Sequence, residues 1–313
     1  MKNKILITGA CGYIGTNLTC ALLKENKQIL AIDTQWFGNF LPKNKNLEVI
    51  KCDIRKLRSK HFNNVNTIIH LASISNDPSS ELNPKLSWEV GPLATLGMLN
   101  LAKKNGVKNF IYASSGSVYG ISKKNKVEEK HELLPISDYN KQKMITEKIV
   151  ETFSNQIRTV IIRPATVCGL SKRLRLDTTV NILSYQAYKK KLITVFGGLQ
   201  IRPNIHIDDM VEVYKFFLNN KKSGIFNVGF ENLSVLNIAK MIQKKTKCKI
   251  KIIKSNDPRS YRLSSSKIIK EGFKPKKKVS HAIDELLNFF YKKKFLQTSK
   301  NINVKHLLNK KIL

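Results

Sequence analysis

Ile5-Leu-Ile-Thr8-Gly9-Ala-Cys-Gly12-Tyr13-Ile14-Gly15 stands almost at the start of the chain. The run Lys4–Thr8 reads as a buried strand, and glycines spaced as GxxGxxG lead directly into a helical stretch, Gly15–Glu25. Glycine permits the tight turn, lets backbone amides approach a diphosphate, and brings helix against strand. The helix N-terminus adds partial positive charge. A Gly-rich elbow alone fits any strand–helix junction, so the residues around it decide what it is for.

Asp33 ends a second predicted strand, Gln28–Asp33, 18 residues after Gly15. A carboxylate there can accept hydrogen bonds from an adenosine ribose diol and repels the 2′-phosphate of NADP. No Arg follows it directly, so the spacing favours NAD. Asp53 ends a third strand, Leu47–Cys52, and is placed to meet the adenine amino group; it serves equally as the N-cap of a helix over Ile54–Ser59. Leu71, Ala72 and Ser73 end a fourth strand, Thr67–Leu71, where the cofactor would continue. With Gly9, Gly12, Tyr13, Ile14, Gly15, Asp33, Asp53 and Ile54 they make up the expected dinucleotide end of a site.

The remaining first half continues the alternation: a long helix Pro84–Lys104 ended by Asn105-Gly106, strand Asn109–Ser114, helix Tyr139–Phe153 and strand Thr159–Arg163. Continuous apolar runs separated by helices predict a parallel sheet covered on both faces, a Rossmann-type doubly wound α/β fold. Ligands of such a fold bind at the carboxyl ends of the strands. Beyond about residue 170 the segments become shorter, mixed and more basic. Helix Asp177–Lys190, strand Ile193–Phe196, helix Asp208–Asn219, strand Ile225–Val228 and helix Val235–Thr246 follow. The chain therefore divides into a dinucleotide-binding domain over 1–172, to which about 203–230 return, and a smaller α/β substrate domain over 173–202 and 231–291. Residues 292–313 read as a Lys-rich tail without a motif.

Composition excludes some partners. The 313 residues are 42% hydrophobic, enough for substantial cores, but 56 Lys+Arg against 22 Asp+Glu give a net charge of +34. Such a field favours anions. Yet 47 of the basic residues are Lys, scattered along the whole length, whereas a nucleic-acid reader gathers Arg and Lys on one element among aromatics. The charge reads as a solvated surface, with no specific nucleic-acid partner. Five Cys without CxxC or Cys/His spacing argue against disulfides and zinc and for the reducing cytoplasm; no metal site is expected. The apolar stretch before Cys11 is shorter than the roughly 7–15 residues of a signal core. No run approaches the length of a membrane span.

Tyr139-Asn-Lys-Gln-Lys143 starts a helix, so Tyr139 and Lys143 lie one turn apart on the same face. A tyrosine serves as general base near neutral pH only if its pKa falls well below the ordinary value of about 10. An ammonium one turn away and a positive nicotinamide ring would stabilise the phenolate. Ser115, just after the strand Asn109–Ser114, offers a hydroxyl to steady an alcohol or alkoxide. Glycine elbow, terminal Asp and Ser…YxxxK in this order leave little room for coincidence.

These residues resemble the extended short-chain dehydrogenase/reductase family, in particular its NAD-dependent sugar-nucleotide epimerases and dehydratases, over about residues 4–290. The resemblance implies that Ser115, Tyr139 and Lys143 are catalytic and that Pro164, in Arg163-Pro-Ala-Thr-Val-Cys-Gly169, flanks the nicotinamide. It implies sugar-nucleotide contacts from Asn181 and from Thr194, and diphosphate contacts from Arg202 and Arg259. Guanidinium forks suit phosphate oxygens, and Arg is scarce in this chain. It further implies a homodimer through helices 84–104 and 139–153.

Departures from the family pattern matter as well. Gly116 and Ser117 stand where the family's 4,6-dehydratases carry the Asp-Glu pair that eliminates water. Gly91 and Thr166 replace two customary Asn. The loop Ser73-Ile-Ser75-Asn76-Asp-Pro78 borders the expected sugar pocket and differs from that of the galactose epimerases. The expected activity is NAD-dependent 4-epimerisation of a nucleotide-diphosphate sugar through a transient 4-keto intermediate, with Ser75, Asn76 and Thr166 also touching substrate. Alternatives are a 4-keto-sugar reductase, decarboxylase or dehydratase on the same scaffold, and a nucleotide-sensing or nucleic-acid-binding protein. A sensor does not need the catalytic hydroxyls.

Overall fold

The computed structural model describes residues 3–121, 126–255 and 260–311. In chain order the first lobe comprises β1 (Lys4–Thr8), α1 (Tyr13–Lys24), β2 (Ile29–Asp33), β3 (Leu47–Lys51), β4 (Val65–His70), α2 (Asp77–Leu82), α3 (Pro84–Trp88), α4 (Ala94–Lys104), β5 (Asn109–Ala113), α5 (Asp138–Thr152) and β6 (Arg158–Pro164). There follow β7 (Thr166–Cys168), α6 (Thr179–Lys190), β8 (Leu192–Phe196), β9 (Ile201–His206), α7 (Ile207–Leu218), β10 (Gly224–Val228), β11 (Glu231–Ser234), α8 (Val235–Thr246), β12 (Lys249–Ile253), α9 (Ser266–Lys270), α10 (Val279–Lys293) and α11 (Asn303–Asn309).

Among the described residues, seven strands form one parallel sheet in the order β10-β6-β5-β4-β1-β2-β3. Its strands alternate between two cores. Ile7, Ala31, Ile69, Ile111 and Ile162 point to the layer of α1 and α7, while Leu6, Leu30, Ile68, Phe110 and Ile161 point to the layer of α4 and α5. Successive strand side chains face opposite ways, so a sheet buried on both sides needs unbroken apolar runs. That is what the sequence shows. A third core lies outside this sheet, where α6, α8 and α10 pack with β8 through Val180, Ile193, Ile238 and Leu286. There are two further small sheets among the described residues, β11-β9-β7 and β12-β8, the latter in the third core. Strand β10 pairs with β6 at the edge of the main sheet, and α7 packs on α1.

The helix expected over Pro84–Lys104 is interrupted. Helix α3 ends at Trp88, a π-helical turn spans Glu89–Leu93 with Pro92 inside it, and α4 begins at Ala94. Proline has no N–H to donate and its ring clashes with the preceding turn, so the ladder widens there. The segment read as a tail also carries structure over its described residues, 292–311. Helix α10 runs to Lys293, and α11 packs on α2.

Candidate active site

The strand ends open on a cleft of about 470 Å³. At one end lies the glycine elbow. Gly9 has φ +70°, and a Cβ there would lie 2.7 Å from the Ala72 nitrogen; a Cβ on Gly15 would meet the Gly9 carbonyl oxygen at 2.2 Å. Both positions exclude any side chain. Gly12 starts α1 with no side-chain cap and no acid in the first turn, so the positive helix end faces the cleft through Gly12, Tyr13, Ile14 and Gly15. Asp33 accepts from the backbone N–H of Cys11 (3.0 Å) and of Gln35 (2.6 Å). Burial raises its pKa, against those two hydrogen bonds and the charge of Arg173.

Asp53 is engaged more than either sequence reading allowed. It caps a short 3-10 turn, Ile54–Lys56, accepting from Arg55 N at 2.9 Å, and binds the Arg55 guanidinium at 2.7 Å. The cap is made, on a turn shorter than Ile54–Ser59. The carboxylate still borders the cleft, but an adenine amino group would have to share it with Arg55. Ile54, Leu71, Ala72, Ser73 and Pro164 line the same cleft.

At the other end, Ser137 caps α5 through the N–H of Asn140, and this sets Tyr139 in the first turn. Ser115 stands at the end of β5 and starts a 3-10 turn over Gly116–Tyr119. Its hydroxyl lies 2.7 Å from that of Ser117 and hydrogen-bonds Tyr139. Lys143 is buried, donates to the Ala113 carbonyl at 2.8 Å, and sits 5.9 Å from the centre of the Tyr139 ring. The three residues converge as expected, but the acid–base balance differs. Burial and the carboxylate of Asp77 push the Tyr139 phenol up to about 12, while Arg175 and the Ser115 hydrogen bond lower it. Burial pulls Lys143 down to about 7, against the charge of Glu147. Burial thus opposes the charged forms of both the phenol and the amine, a cost that the YxxxK spacing does not record.

Of the expected substrate residues, Ser75, Asn76, Ser115, Thr166 and Arg202 border the cleft. Asn181 does not. It is fully buried, accepts from Gly169 N at 3.1 Å and donates to Arg175 O at 2.9 Å and the Tyr13 hydroxyl at 3.1 Å. It braces the loop that carries Arg175. Thr194 also lies off the cleft wall: β8 pairs with β12 in the outer sheet, and the Thr194 N–H is taken by Gln186 at 2.9 Å. Arg259 falls outside the described residues.

Other groups in the cleft were missed in the sequence. Arg175 donates to Asp177 at 2.8 Å, and Asn76 donates to the other oxygen of Asp177 at 3.0 Å. Arg173 lies over the Phe37 ring at 4.1 Å, with Asn303 of α11 against it. Tyr261 reaches Gly116, where a Cβ would come 3.2 Å from its hydroxyl. Arg173 and Arg175 carried the signal used for Arg202 and Arg259, arginine where lysine covers the surface. The cleft thus offers a side-chain-free glycine elbow at a helix N-terminus, a buried acid at the end of β2 and a buried guanidinium with donors unpaired among the described residues, a lining that fits a dinucleotide with a second ligand beside Tyr139.

The cluster His206, Asp208 and Glu285 has donor atoms within 4.8 Å of one another. Lys277 already supplies its cation, 3.0 Å from Glu285. Among the described residues no helix is long and apolar enough to cross a membrane.

Comparison with known proteins agrees with this geometry. The chain is 32% identical over 266 residues to the uncharacterized UDP-glucose epimerase YtcB of Bacillus subtilis, covering 77% of this chain and 81% of that protein. It is 27% identical over 268 residues to the UDP-glucose 4-epimerase of Lactobacillus helveticus, covering 76% and 81%. The crystal structure of a UDP-glucuronic acid 4-epimerase from Bacillus cereus in complex with UDP-glucuronic acid and NAD superposes with TM-score 0.83 at 27% identity, covering 92% and 99%. Decarboxylases and dehydratases are also among the similar proteins. Residues 5–229 match the family described as the NAD dependent epimerase/dehydratase family, and the chain belongs to it.

Proposed function

We propose that the protein interconverts two nucleoside-diphosphate sugars that differ in configuration at carbon 4, with NAD as its cofactor. One observation carries this reading: the Ser115 and Tyr139 hydroxyls and Lys143 converge in one cleft, and positions 116 and 117 hold Gly and Ser instead of an acid and a base for eliminating water. When bound, NAD supplies a reversible hydride acceptor for sugar carbon 4 and a positive charge beside the phenol. Tyr139 takes the proton of the 4-hydroxyl and returns it after the 4-keto sugar has turned over. Ser115 holds the sugar oxygen. Lys143, at about 7, can give or take a proton at neutral pH. Arg202 anchors the diphosphate so that the sugar turns without leaving, and Arg259 is its expected partner.

The reading includes a homodimer through α4 and α5, where Leu96 and Ile145 are exposed, and a cytoplasmic location. Decarboxylation is a second reading, supported by the decarboxylases among the similar proteins.

Screening UDP-, GDP-, dTDP- and CDP-sugars by proton NMR tests the proposal. A C4-inverted product without added cofactor is expected, with activity lowered by roughly 100- to 10,000-fold in Tyr139→Phe. Full activity of that variant overturns it. Release of carbon dioxide marks a decarboxylase, and stoichiometric NAD(P)H consumption a reductase.

A further inference from the structure

Arg173 has an unusual environment for a charged residue. It is 3% exposed yet borders the cleft. Its Nη2 donates to Asn303 Oδ1 at 2.6 Å, but Nε and Nη1 meet no acceptor among the described residues. No carboxylate among the described residues pairs with it directly; Asp33 and Asp177 act only through space. A buried guanidinium with two unmet donors is costly. Such a group persists where a ligand anion completes it.

The surroundings indicate which anion. Arg173 interacts through space with Asp33, at the ribose end, and with Tyr13, in the first turn of α1. It thus lines the same cleft as the positive helix end and lies near it, and two positive groups around one gap suit a diphosphate. Its aim is fixed by the last helix. Asn303 holds Arg173, donates to Ser75 Oγ at 2.9 Å, and gives its N–H to Asp177 at 3.2 Å. His306, three residues on, bonds the Trp36 carbonyl at 2.8 Å and packs 5.2 Å from Phe37, in the loop after Asp33.

We infer that Arg173 is a binding residue for the diphosphate of the dinucleotide and that α11, through Asn303, is a clasp that positions it. The inference rests on the proposed function's placement of NAD in this cleft. The substrate carries a diphosphate too, so the experiment separates the two sources.

Full-length protein stripped of nucleotide is titrated with NAD and, separately, with UDP by calorimetry, for wild type, Arg173→Gln and Asn303→Ala. Loss of one or two charge-assisted hydrogen bonds should weaken NAD binding by roughly 10- to 100-fold in Arg173→Gln. Asn303→Ala should weaken it several-fold, and UDP affinity should stay unchanged in both. Removing an unpaired buried charge should leave the melting temperature of nucleotide-stripped Arg173→Gln equal to or above that of wild type, while the upward shift produced by NAD shrinks. NAD affinity within twofold of wild type in Arg173→Gln overturns the inference and leaves the proposed function standing. Loss of UDP binding with NAD binding intact assigns the arginine to the substrate and also overturns it. Wild-type protein that does not bind NAD removes both readings.

Discussion

Glu147 is fully buried, and its replacement by Gln probes how the helix carrying Tyr139 and Lys143 is held. Its carboxylate accepts from Arg163 Nε at 3.0 and 3.2 Å and from Nη2 at 2.6 Å, and from Ser114. Arg163, also buried, otherwise meets among the described residues neutral oxygens: the Tyr119 hydroxyl at 2.7 Å and the Glu129 carbonyl at 3.1 Å. Gln keeps the shape and one acceptor but leaves the guanidinium without a counter-charge. Breaking a buried pair from one side costs about 3–5 kcal/mol, and the retained acceptor places this variant near about 3 kcal/mol. For a chain of this size that lowers Tm by roughly 4–5 °C. Glu147 also raises the Lys143 pKa, so its loss drives the amine further below about 7 and shifts the basic limb of the pH–rate profile to lower pH. Urea midpoints and that profile are the assays. Stability within about 0.5 kcal/mol of wild type, the range of a neutral surface change, would refute the idea that this carboxylate balances Arg163. The double variant Glu147→Leu with Arg163→Met, which removes both charges, should recover much of the loss.

Three further outcomes follow from the same structure. His70 is buried between Thr8 (2.7 Å) and Thr95 (2.9 Å), and burial, with the charge of Lys143, depresses its pKa to about 3. The unfolded chain takes this proton first, near 6.5, so stability falls as pH drops from 6.5 toward 3, by about 2 kcal/mol at pH 5; in His70→Gln the urea midpoint should fall less between pH 7.5 and 5. Gly15→Ala puts a methyl 2.2 Å from the Gly9 oxygen, which should cost about 3 kcal/mol and abolish NAD binding, both read by NAD-dependent melting shifts. Leu96→Glu with Ile145→Glu should convert a dimer to monomer in sedimentation, and a wild type already monomeric would remove the α4–α5 interface.

What could be read in advance was whatever the backbone forces to lie close in sequence. The glycine elbow, Asp33, and Ser115 with Tyr139 and Lys143 all sit at strand ends or in one helical turn, so their spacing carries their geometry. Pro92 was visible too, yet the apolar pattern of 84–104 outweighed it and hid the π turn. The cleft's far wall was not legible, because Arg173 and Asn303 meet across 130 residues and no local periodicity records such a meeting. The Lys-rich composition of 292–313 concealed Asn303, His306 and Leu307, each buried. Asn181 shows the converse limit: its match to a family position was visible, but the hydrogen bonds that use it up were not. The acidity of Tyr139 likewise depends on Asp77, Arg175 and burial, none of which the YxxxK spacing contains.

The central claim is that hydrogen leaves sugar carbon 4 and returns to the same carbon of the same molecule while Tyr139 moves the hydroxyl proton. Turnover of a nucleotide sugar deuterated at carbon 4, in light water and without added cofactor, tests this directly. The account predicts a C4-inverted product that keeps its deuterium, and almost none of it with Tyr139→Phe. Inverted product that has exchanged the label for solvent hydrogen would contradict the account.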